Sequence, residues 1–125
     1  NTWFMDGAGN ISVTAPKNFT LNAGENISMT AGINITQNAG VDFSLSAGSN
    51  VNIVAGLMKN VMVGANYMVN VVGSFFELIK GSRESETSER KEIAKSSQFN
   101  ATEKDIVVNS SKTVLKNSGE KSNLY

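Results

Sequence analysis

From Asn10 to Gly56 apolar residues stand two places apart in short groups, and nearly every group closes on glycine. With that glycine as zero, the third place holds Ile11, Phe19, Ile27, Ile35, Phe43 and Val51. The fifth holds Val13, Leu21, Met29, Gln37, Leu45 and Ile53, and the seventh is alanine from Ala15 to Ala55. A spacing of two, rich in β-branched and aromatic residues, describes strands with one buried face. The intervening places, from Asn18, Thr20 and Asn22 to Asn50 and Asn52, are polar and predict a face turned to water.

The groups are copies of one unit. Glycine returns at every eighth position as Gly24, Gly32, Gly40, Gly48, Gly56 and Gly64, with Pro16 in the equivalent place of the first copy. Strand-length units ending in a residue that tolerates positive φ predict a β-helix whose chain turns at each glycine. One large pair and an alanine per unit make a thin core. A single chain coiling alone would gain few turns and leave both ends open, whereas three identical chains around one axis share the core. The expected fold is therefore all-β, an intertwined, homotrimeric three-stranded β-helix of octapeptide repeats.

Two residues break the apolar side. Gln37 takes a fifth place, where an unpaired buried amide costs on the order of 1–3 kcal/mol. Lys59 takes a third place, and three ammonium groups on an axis would cost far more. A local shift at Leu57 to Asn60, turning Lys59 outward, is expected. Beyond Gly64 the next glycines are Gly73 and Gly81, so one nine-residue interval predicts a bulge. With that bulge counted, Val54, Met58, Met62, Met68, Phe75 and Ile79 fall on the formerly polar side, as an outer packing or partner surface.

The expected organisation is a lead-in over 1–9 with Trp3 and Phe4, the repeat over 10–81, and a charged segment over 82–125. That last segment, partly helical or irregular β, is expected to cover the outer face of 54–81 with Phe99, Ile106, Val108, Val114, Leu124 and Tyr125. Charge marks the same division: of 22 charged residues in the 125-residue chain, six lie before Lys80. The net charge is zero, and no basic stripe recommends nucleic acid. The opening at Asn1 is that expected of a piece cut from a larger protein. No signal peptide or apolar run of membrane-spanning length is visible.

Chemistry is sparse. The chain has no cysteine and no histidine, which removes thiolate metal sites, the commonest general base and the commonest transition-metal ligand. The glycines are too far apart for a phosphate loop, and serine has no histidine beside it in sequence or elsewhere. Asn10, Asn18, Asn26 and Asn34 open Asn-x-Ser/Thr triplets, but the repeat itself places them there. Calcium-binding nonapeptide coils need aspartates at a period of nine. Here the period is eight and only Asp42 fits the slot, and the expectation is a protein that is not an enzyme and holds no metal or cofactor.

The glycine series Gly24 to Gly64, the paired slots from Ile11 and Val13 to Ile53, and the phrase Asn26-Ile-Ser-Met-Thr-Ala-Gly32 resemble the carboxy-terminal needle of contractile-injection spikes. These are the valine-glycine repeat spikes (VgrG) of type VI secretion and the central baseplate spikes of tailed phages. The resemblance covers residues 10 to 81. It implies a homotrimeric spike, following a hub domain and seated on a tail-tube protein, that is assembled in the bacterial cytoplasm and ejected into target cells. The target membrane is then only a surface to puncture. Some such spikes carry a histidine-bound metal tip, which this chain lacks the residues to build; a tip-cap protein or docked effector is the implied alternative. Competing expectations are a trimeric adhesin or stalk, a phage tail-spike segment and, least favoured, a monomeric β-solenoid.

Overall fold

Regular structure begins where the sequence is least repetitive. A computed structural model describes residues 1–120, so Leu124 and Tyr125, expected to help cover the outer face, lie outside the described residues. Strand β1, Thr2–Met5, pairs antiparallel with β2, Ile11–Thr14. The register sets Trp3 against Val13 and Met5 against Ile11 on one side, with Phe4 against Ser12 on the other. The lead-in is thus a strand partner of the first octad. Apolar, β-branched and aromatic residues facing one another across the pair supply the cross-strand contacts that favour it.

The hairpin loop is organised by Asp6. Its Oδ1 accepts the N–H groups of Ala8 at 2.8 Å and Asn10 at 3.1 Å, and its Oδ2 accepts the Asn10 side-chain amide at 2.6 Å. The Asp6 N–H donates to the Asn10 carbonyl at 3.2 Å. Such a tight return requires backbone that L side chains rarely adopt. Gly7 and Gly9 supply it, with φ of +75° and +94°.

After Thr14 the chain runs in extended segments separated by bends, with no helix among the described residues. The bends fall at residues 16–17, 24–25, 32–33, 40–41, 48–49, 56–57, 64–65, 72–73 and 80–81. The step is eight throughout. Three sequence expectations change here. The corner glycines do not use positive φ, which is confined to Gly7 and Gly9, because each turn is spread over two residues of ordinary geometry. No residue is inserted between Gly64 and Gly73: glycine merely moves from the first place of the bend pair to the second, as it does again at Gly81. Nor does the backbone shift at Leu57 to Asn60, since the flanking bends keep the common step.

The charged segment also bends regularly, at residue 88 and at residues 95–96, 102–104, 111–112 and 119–120. Of the two alternatives for this segment, partly helical or irregular β, no helix is found among the described residues. Glycine is missing from most of these corners, and hydroxyl side chains do its work at two of them. Thr87 Oγ1 accepts the Glu89 N–H at 3.1 Å and donates to the Glu89 carbonyl at 2.6 Å, while Ser110 Oγ accepts the Lys112 N–H at 3.2 Å. Such short side-chain bonds are a known substitute for a backbone turn.

The chain divides into two units, Asn1–Gly64 and a second beginning at Ala65. Neither contains a buried apolar residue among the described residues. Between residues 15 and 110 no backbone-to-backbone hydrogen bond is formed, so the extended segments present open edges.

Candidate assembly surface

Because the repeat is even-numbered, every third, fifth and seventh place from Ile11 to Ile79 is an odd residue. Exposure is lower at these places, though not at the odd residues just after the bend glycines, where Ile33, Val41 and Leu57 are 91%, 92% and 104% exposed. Val63 is 45% exposed beside Met62 at 90%, and Phe75 is 66% exposed beside Phe76 at 91%. The third, fifth and seventh places form the less exposed, inner side of each segment. In the first unit Trp3, Met5, Ile11, Val13, Phe19, Leu21, Ile27, Met29, Ile35, Phe43, Leu45, Val51 and Ile53 share this parity, with Gln37 and Lys59 among them. In the second, Tyr67, Val69, Val71, Phe75 and Ile79 continue it.

Of the six residues assigned to the outer surface, Val54, Met58, Met62 and Met68 lie on the more exposed side. Phe75 and Ile79 do not. Their assignment rested on an inserted residue that the bends do not contain, so the outward apolar residues there are Phe76 and Leu78. The frame could have been found without structure by counting in eights from Gly64 to Val72 and allowing glycine either place of the bend. The corner glycines Gly24, Gly32, Gly40, Gly48, Gly56 and Gly64 are open, with nothing within 4 Å of an added Cβ.

The corrected frame places one ion pair on the odd side. Arg83 Nε lies 2.8 Å from Glu77 Oε1 across the bend at 80–81, and Phe75, Ile79 and Gly81 complete a concave strip of about 570 Å³. Two similar concavities follow the hairpin: one of about 420 Å³ lined by Trp3, Val13 and Phe19, and one of about 340 Å³ lined by Met5, Gly9 and Ile11. All three are open grooves on the inner side of a turn. They suit side chains from another strand better than a small molecule, because each lies open along the chain instead of enclosing a cavity.

Beyond residue 88 the parity reverses. The interval to the next bend is seven, and afterwards Ile106 is 58% exposed against 71% for Val107. Local pairs Arg90 to Glu92 at 3.0 Å and Lys91 to Glu89 at 3.4 Å occupy this transition. No cluster of three histidine, cysteine or acidic side chains is gathered among the described residues. No protein-family model, curated protein or solved structure matches the chain.

Proposed function

We propose that this chain is the β-helical needle of a contractile-injection spike, a homotrimer whose role is mechanical. The observation that carries the reading is an eight-residue bend step recurring in both units of a chain whose inner, apolar side is left uncovered. Extended segments with open edges and no core must find partners elsewhere. A monomeric solenoid would pair its own successive segments, and no such pairing occurs after β2 among the described residues. Other copies of the chain present the matching edge and the matching apolar slots at every level. Three copies close around a narrow axis without leaving an edge, which gives resistance to bending and local unfolding.

In this reading the needle follows a hub domain and rides on a tail-tube protein, from which sheath contraction drives it through a target envelope. A tip protein or effector docks on outward apolar residues, either Val54, Met58 and Met62 of the first unit or Met68, Phe76 and Leu78 of the second. The chain supplies no catalytic group to the process and needs none.

Sedimentation equilibrium tests the assembly: a 13.3 kDa chain gives a species of about 40 kDa as a trimer. A monomer would remove the proposal. Delivery separates a spike from a stationary stalk. Release of the full-length protein should require an intact, contractile sheath, and release unaffected by a sheath that cannot contract would favour the stalk.

A further inference from the structure

The apolar repeat has a weakness as an assembly code. Its slots are nearly interchangeable, so a copy displaced by eight residues would still meet isoleucine, valine or leucine at most levels. Such a slip sacrifices packing only at the two ends of the shaft. Two-residue periodicity fixes which face is buried, but nothing in it fixes which octad meets which.

We infer that the Glu77–Arg83 pair is the device that sets octad register between copies, a role that rests on the trimeric reading above. Both residues have inner-side parity, in the same strip as Phe75 and Ile79. The intrachain ion pair makes its close approach through Nε of Arg83 and Oε1 of Glu77. Two terminal guanidinium nitrogens and one carboxylate oxygen are left to reach sideways. In register, three such pairs lie at one level, and each arginine bonds the free oxygen of the next copy's glutamate. The result is a closed ring of alternating charge.

A one-octad slip brings those groups instead to the level of Val69 and Phe75, or of Ser85 and Lys91. The intrachain bond survives, but the remaining donors and acceptor lose their partners in a covered site, where unpaired charge is strongly disfavoured. In the separate chain the pair is 64% and 39% exposed at its arginine and glutamate side chains, so it adds little until copies cover it. Its effect is therefore on the choice among assembled states. Lys59 also breaks the pattern, but it carries one sign and cannot close a ring with its own kind; Gln37 can, through its amide donor and acceptor, but it carries no charge and so penalises a slip less.

Interspin distances test this directly, and the absence of native cysteine makes labelling clean. A spin label attached through Ser28→Cys, on the outward side, should give one narrow distance in the otherwise native trimer. The double variant Glu77→Val with Arg83→Val should remain trimeric but show additional, longer distances from slipped copies. Exchanging the charges, Glu77→Arg with Arg83→Glu, should restore the single distance. Removing one partner only, Glu77→Val, should lower the melting transition below that of the double variant. A double variant that keeps the single distance, or that fails to assemble at all, overturns the register role. A native chain that sediments as a monomer without dipolar coupling overturns the trimer instead, so the two failures are distinguishable.

Discussion

Asp6 and the two glycines beside it divide the work of the hairpin loop between bonding and backbone geometry. The Asn10 side-chain amide, followed by the N–H groups of Asn10 and Ala8, holds the Asp6 carboxyl below its ordinary range. A depressed folded value means that these bonds are intact above the unfolded pKa of about 3.9 and are lost as pH falls through the lower folded value. Titration followed at the Ala8 and Asn10 amide resonances should therefore show a midpoint below that of free aspartate; a midpoint at or above it would mean that the loop bonds do not favour the charged form. Geometry makes a second prediction. Gly7→Ala forces an L side chain to a φ of +75° and should cost roughly 1–2 kcal/mol in denaturant unfolding. Gly40→Ala meets neither positive φ nor any atom within 4 Å, and should be neutral or stabilising by about 0.4–1 kcal/mol. Equal losses at both sites would show that a neighbouring copy fills the corner.

The element that organises the chain is a strand-length segment and its bend, and Lys59 is where its rule is most strained. The bends at 56–57 and 64–65 keep this lysine at the third place of its octad. Its long stem allows the ammonium group to reach toward an edge, at a cost in desolvation that an apolar residue would not incur. Lys59→Met should raise the melting transition of the assembly by several degrees, the size that about 1 kcal/mol gives in a small domain. Ile27→Asp should prevent assembly, and a trimeric product would show that the odd side is not the buried one. The alternation from Ile11 to Ile53 was legible because every second residue states its face. Glycine was a less dependable marker, since it tolerates either place of a two-residue bend; Gly73 therefore looked like an insertion. The hydroxyl-closed corners at Thr87 and Ser110 were not legible at all. Their turns depend on a side-chain bond that no spacing of glycine announces. The Glu77–Arg83 pair was hidden for a related reason, because a miscounted frame put its two neighbours on the wrong side.

At the scale of the whole molecule the question is what the charged segment does, and its bends answer differently from its composition. Composition suggests a cover for the outward apolar surface. Yet Met68, Phe76 and Leu78, in the same unit as that segment, remain about nine-tenths exposed. The segment instead goes on bending at intervals of seven to nine residues, and turns Ile106 and Val114 to its less exposed side. This is the pattern of the repeat one residue out of frame, so its apolar residues are occupied in continuing the strand architecture. Removing residues 82–125 should accordingly leave a trimer and produce no gain in binding of an apolar dye. A clear gain, with assembly preserved, would mean that the segment does lie over Met68, Phe76 and Leu78. The outward surface would then be closed to a tip protein until the segment moves, and docking would have to begin by displacing it.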